Sequence, residues 1–333
     1  MKKVFSMLFI LCMIFLLLFS SAALHAAQDA LSLWAGQVVP ALLPFFICTD
    51  MLQRMGMTPR GAVPFFLMSI LAGAPSGARL CADSDAQDGA CTARIAACNV
   101  IGPMFVSGAF CAGMLQCPRL ALPILLSQYA GALMMLWLCR RTSFIAPSAP
   151  AQAQPIACAL SASIYGGVMS MLSIGGVILF YRVLLSLLGA LWAWLMLPPL
   201  PPLPGALLTG MLEVVNGCAL LPALQLSVRQ TGALAAFLFS FGGLCVMTQS
   251  MQFYPLDVWR YMRLKLVQGL LAAFLAYLVT PFFFTGAQGV FYTFDMHKIE
   301  RNALSALAIF LISSFAMLGV WIWCAALQHR QRK

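Results

Sequence analysis

Charge is scarce in this 333-residue chain: only 8% of its residues are Asp, Glu, Lys or Arg, against about 25% in ordinary soluble domains. With 62% hydrophobic residues and a mean hydropathy of +0.93, no soluble fold of this size hides its apolar surface, so a soluble domain is excluded. Histidine is almost missing. His25, His297 and His329 all lie near the ends of apolar runs, which argues against a histidine proton relay or metal site. The 12 cysteines contain no CxxC pair and fall mostly within apolar stretches, where a thiol behaves as a small hydrophobe. No disulfide frame and no zinc site is read from them. P-loop, G-x-S-x-G, H-E-x-x-H and dinucleotide fingerprints are absent, so no catalytic constellation and no cofactor is implied. The net charge of +10 does not indicate a nucleic-acid partner, because the Lys and Arg are scattered between apolar runs in the positive-inside manner. What remains is an all-α polytopic membrane protein whose partners are the lipid bilayer and a small-molecule solute. A homo-oligomer is compatible with this reading.

Two apolar stretches are interrupted. Ser69–Arg79 contains Gly73, Pro75 and Gly77, which no good helix keeps together. Gly205–Gly217 is similarly interrupted and carries Glu213 and Asn216. Broken backbone at membrane depth is tolerated only under cover of protein or along a wet cavity, and transporters use such segments in pairs to build midplane sites. Both are expected to be re-entrant hairpins.

In chain order, residues 1–27 are a signal anchor or a signal peptide, and a retained first span from Val4 to about Phe19 is preferred because the apolar run is long for a signal. Residues 28–36 are expected at the interface. Spans are expected at 37–53, 95–115, 120–139, 167–190, 231–252, 264–285 and 303–327, with the broken segments at 61–79 and 205–223. That makes about eight spans. Residues 79–94 are polar, 142–157 form a cytoplasmic linker, 158–166 read as interfacial, and 286–333 hold a loop and the last span. Segments 28–141 and 158–285 match in order, offset by about 130–145 residues, as an inverted repeat does. With both termini cytoplasmic, most of the 19 basic residues, Lys265 among them, fall on the cytoplasmic side.

The hairpins supply the candidate site. Gly73, Pro75, Ser76 and Gly77 would form a tight first tip, although Gly73 and Gly77 also suit a small-residue packing face. Arg79 either pairs with an anionic ligand or snorkels to headgroups. Freed N–H groups at the hairpins suit an anion. Glu213, costly in lipid, either couples transport to a proton or sodium ion, accepts a ligand donor, or bonds the opposite hairpin. Asn99, Asn216 and Gln249 either read a ligand or hold helices together. Gly102-Pro103, Gly217 and Gly242-Gly243 complete the set. Asp50 and Arg182 either pair with one another or each reach a headgroup. Asp83, Asp85 and Asp88 read as a solvated loop rather than a metal motif. A solute path requires Arg79, Asn99, Glu213, Asn216 and Gln249 to line one space. A non-transporting scaffold or assembly factor requires them to be packed apart.

Leu43-Pro-Phe-Phe46, Gly73-Ala-Pro-Ser-Gly-Ala-Arg79, Cys98-Asn-Val-Ile-Gly-Pro103, Glu213-Val-Val-Asn-Gly217 and Phe241-Gly-Gly-Leu-Cys-Val-Met-Thr-Gln249 together resemble the YlbJ-type sporulation integral membrane proteins, within the wider group carrying nucleoside recognition or Gate domains. The likeness extends over residues 38–285. The family has Gly-Tyr-Pro and Ala-Lys in the first motif, and here Ala74 stands for Tyr and Arg79 for Lys. The resemblance implies a bacterial cell-membrane location, a role in spore formation, kinship with hairpin-bearing nucleoside transporters, and movement of dipicolinate, a small aromatic dicarboxylate. A dianion suits Arg79 and the hairpin N-termini. Glu213 suits it only if protonated, cation-paired or gating.

Overall fold

A computed structural model describes residues 2–56, 62–75, 77–78, 89–138 and 154–284. The expected first tip residue Ser76, Arg79, the aspartate loop, most of the linker, the loop after 285 and the last span lie outside the described residues. Within them the chain is all-α. Five stretches are long and apolar enough to cross a membrane: Ser20–Arg54, Pro118–Leu138, Ile156–Trp194, Val228–Met251 and Val258–Phe283.

Two of these exceed expectation. The residues expected to lie at the interface before residue 37 are instead continuous helix. After α1 (Lys2–Leu18), helix α2 (Ser20–Leu33) passes through a π-helical turn, Trp34–Val38, directly into α3 (Val39–Arg54). Likewise 158–166 is the body of a 39-residue helix, α7 (Ile156–Trp194). At about 1.5 Å per residue this helix is roughly 58 Å long, beyond the ~40–45 Å of a bilayer with its headgroups, so it must tilt or emerge. The two long helices run antiparallel. Ser186 Oγ donates to Ala22 O at 3.2 Å, Trp34 Nε1 to Met171 O at 3.1 Å, and Gln154 N to Arg54 O at 3.0 Å. Glycines at their crossing let large side chains seat: a Cβ on Gly175 would meet the Trp34 ring at 2.7 Å.

The remaining elements are short helices around two breaks. In the first half come α4 (Ala62–Ala72), α5 (Gly89–Cys98), the π-helical Phe105–Met114 and α6 (Ala121–Leu138). In the second come α8 (Pro202–Leu212), α9 (Val214–Leu220), α10 (Val228–Phe241), α11 (Gly243–Met251) and α12 (Val258–Phe283). Local chemistry sets several ends. Ser227 and Gln230 form a capping box before α10, and Asp257 accepts from Arg260 N at 3.1 Å to start α12.

Both broken segments fold back on themselves. In the first, the Cβ position of Gly77 lies 2.7 Å from Ser69 Oγ, although the two are eight residues apart and a straight helix would separate them by about 12 Å. In the second, a Cβ on Gly217 would collide with the Gly210 backbone and sit 3.3 Å from Ala206 O. The halves meet through Phe239, fully buried, whose ring stands edge-on to Phe105 and Phe110 at 5.9 and 5.1 Å. Such pairs add about 0.5–1.5 kcal/mol beyond burial.

This packing predicts a contrast between two helical glycines. Gly217→Ala should lower the thermal midpoint of the detergent-purified protein, by the ~1–3 kcal/mol typical of overpacking. Gly176→Ala, with nothing within 4 Å of its Cβ position, should leave it unchanged or slightly raised. Equal midpoints for the two variants would contradict the close approach of α8 and α9.

Candidate functional site

The first break begins where α5 ends at Cys98. Asn99–Gly102 is non-helical and, apart from the partly covered Gly102, buried. Helix termini leave carbonyls without intrahelical partners, and buried ones are expensive. Here each described carbonyl from Ala96 to Gly102 that lost its helical partner has found another, Cys98 O included, which takes the Val100 N–H at 2.9 Å. Lys265 Nζ donates to Ala96 O at 3.2 Å and Asn99 O at 2.5 Å. Gln268 Nε2 donates to Ala97 O at 3.0 Å. Ala74 N reaches Val100 O at 2.9 Å, and Gln128 Nε2 reaches Ile101 O at 2.7 Å. Phe105 N closes on Gly102 O at 3.1 Å. Gly73, in the left-handed region at φ +73°, lets the hairpin backbone rest on this segment: a Cβ there would stand 2.7 Å from Gly102 N.

The second break is made by Glu213, which ends α8 in an extended conformation. Its carboxylate accepts from Val215 N at 3.0 Å and Asn216 N at 2.6 Å, capping α9, and the Cys245 thiol points at Oε1 from 3.7 Å. Gly242 and Gly243 both have positive φ, at +79° and +73°. They break the next span so that Gly243 nestles against the carbonyls of Gly210, Met211 and Leu212, 3.1–3.3 Å from its Cβ position.

Both breaks open on one cavity. Gly73, Ala74 and Gly102 contribute from the first, and Glu213, Val214 and Val215 from the second. Gln249 joins them, and Phe45, Phe46, Phe105, Ile174 and Ile178 supply apolar wall. About 60 Å³ is left for the centres of water-sized molecules. That is room for a few waters and too little for an aromatic dicarboxylate without opening.

Of the candidate residues, Gly73, Gly102, Glu213 and Gln249 are brought to this cavity. Asn99 and Asn216 are not among its lining. Asn99 Nδ2 donates to Ser250 Oγ at 2.6 Å, and Asn216 Nδ2 to Ile178 O at 3.3 Å, so both join elements. Pro75 carries the turn between α4 and Gly77, and Ala78 N bonds Pro75 O at 3.0 Å. Pro103 is buried and accepts from Ser107 Oγ at 2.7 Å. Gly77, Gly217, Gly242 and Gly243 serve close packing.

Three expectations are corrected. Free N–H groups at the second hairpin are not open to an anion, because Glu213's own carboxylate occupies them; it bonds its own hairpin rather than the opposite one. Asp50 does not pair with Arg182: it bonds Arg54 Nε at 2.6 Å, while Arg182 faces Asp29 at 3.6 Å. Lys265, counted among the charges of the cytoplasmic side, is fully buried. The sequence reading missed Lys265, Gln268 and Gln128. The available signal was the i, i+3 spacing of Lys265 and Gln268 on one face of an otherwise apolar helix.

Compared with curated proteins, the chain is 27% identical over 286 residues to the sporulation integral membrane protein YlbJ of Bacillus subtilis (strain 168), covering 68% of this chain and 69% of that protein. The chain thus resembles YlbJ over about two thirds of each protein. No family model matches it, and no solved structure does. With these five apolar helices, and similarity to an integral membrane protein, the chain is a multi-pass membrane protein.

The partnered carbonyls of the first break give a second prediction. Gln128→Leu keeps the volume but strips the partner from Ile101 O, which should cost about 1–3 kcal/mol and lower the thermal midpoint in lipid nanodiscs by several degrees. An unchanged midpoint would show that Gln128 does not hold the break.

Proposed function

We propose that this protein is a transporter of a small polar or anionic solute, working by alternating access around the cavity between the two breaks. One observation carries the reading: two broken helical segments, one from each half, face a single small cavity that contains a buried carboxylate, Glu213, and an amide, Gln249. A carboxylate at 1% exposure inside an apolar bundle marks a pathway or coupling group more often than a packing element. The space is small, about 60 Å³, so in this reading a solute enters only after one hairpin moves. In this reading residues 28–141 and 158–285 are inverted repeats, both hairpins re-enter the side they came from, and both termini are cytoplasmic.

The resemblance to YlbJ makes dipicolinate the first solute to test. The carboxylate of Glu213 repels a dianion unless a proton or cation accompanies it, so Arg79 or a co-transported ion would carry the compensating charge. A second reading, a membrane scaffold or assembly factor, is favoured by a different observation: Asn99 and Asn216 are taken up in bonds between neighbouring elements.

Uptake of labelled dipicolinate into liposomes separates the two. The transporter reading expects uptake above empty liposomes and at least a tenfold loss in Glu213→Ala and Arg79→Ala. The scaffold reading expects no uptake by folded protein under proton or sodium gradients in either direction.

A further inference from the structure

Lys265 does not line the cavity, yet it is a fully buried charge that neither the solute site nor lipid contact explains. Its ammonium has three protons to place. Three oxygens receive them: Ala96 O at 3.2 Å, Asn99 O at 2.5 Å and Gln268 Oε1 at 3.1 Å. All three partners are acceptors, and only an ammonium, with three N–H groups, donates to all of them at once. Two of them are carbonyls at the C-terminal end of α5, the negative end of a helix dipole and the kind of unwound carbonyl that coordinates a cation in broken-helix transporters. The amide of Gln268 is itself fixed by Ala97 O at 3.0 Å. The oxygens therefore form a small cation-binding cradle at the first break, and an ammonium delivered from α12 sits in it.

We propose that Lys265 is a tethered cation, permanently filling an oxygen site at the first break so that this break stays closed without a diffusible metal ion. The neutral amide dipoles stabilise the charge, and the covalent tether removes the entropy cost of capturing a free ion. The stability claim stands on this geometry alone. Its consequence for coupling rests on the transport reading: sodium does not act at this break.

Thermal unfolding of the full-length purified protein tests it, in choline, sodium and methylammonium chloride at equal ionic strength. Wild type should unfold at the same temperature in all three. Lys265→Ala should lose about 5–10 °C in choline, as expected for leaving buried oxygens without their donor. At least half of that should return in sodium or methylammonium, which enter the vacated cradle. Lys265→Met, which fills the space without charge, should show a deficit that no cation repairs. A midpoint raised by sodium in wild type would reveal a free ion at work and overturn the proposal. So would an Ala variant that gains nothing from small cations, or a Met variant that sodium rescues. Where the Ala variant does not fold in choline, its recovery in sodium or methylammonium is the same readout, and failure in all three salts overturns the proposal. A failure to transport dipicolinate would leave all these midpoints as expected, so the two readings fail separately.

Discussion

A backbone carbonyl freed inside a membrane has no water to turn to. The centre of this protein depends on how that constraint is met at Asn99–Gly102. Lys265 and Gln268 on α12 and Gln128 on α6 reach from two directions to carbonyls between Ala96 and Ile101, and Ala74 closes Val100. Those bonds let the span stop being a helix without unravelling. The opened backbone in turn gives Gly73 a surface to rest on and gives the cavity its floor. Without them, either the helix would reform through the break or the buried carbonyls would destabilise the fold.

The second break solves the complementary half of the problem. There the exposed groups are N–H donors at the start of α9, and the chain supplies its own acceptor, the Glu213 carboxylate. One break is thus closed by a cation on carbonyls and the other by an anion on amides, with the cavity between them. The two most deeply buried charges among the described residues, Lys265 and Glu213, therefore sit one at each break. This arrangement also limits the chemistry on offer. Under the proposed transport function, an anion would find the N–H groups at the start of α9 already occupied, so a neutral, cationic or ion-accompanied solute would fit better than a bare dianion.

Much of this was legible in the sequence, because Gly, Pro and Glu in apolar runs violate helix and membrane preferences strongly enough to mark the breaks. Gly73, Gly102 and Glu213 were read that way, and they share the cavity with Gln249, whose amide was left open between a ligand and a helix contact. The roles of Asn99 and Asn216 were left open because an amide bonds a ligand and a neighbouring helix with equal ease; here they bond Ser250 and Ile178. The bonds of Lys265 were missed because a lysine at the start of a span is counted as a boundary charge, whereas its place on α12 brings it beside the α5 carbonyls. The lengths of Ser20–Arg54 and Ile156–Trp194 were missed because their weakly polar ends read as interface. Their antiparallel contacts with each other keep them helical beyond a bilayer's thickness.

An experimental density map of the protein in lipid nanodiscs is the measurement that tests this account most directly. The account predicts an interrupted span at Asn99–Gly102 with the Lys265 ammonium on the carbonyls of Ala96 and Asn99. It also predicts the Glu213 carboxylate on the amides of Val215 and Asn216, across one shared cavity. A continuous helix through Asn99–Gly102, or a Lys265 side chain extended to the headgroups, would contradict it.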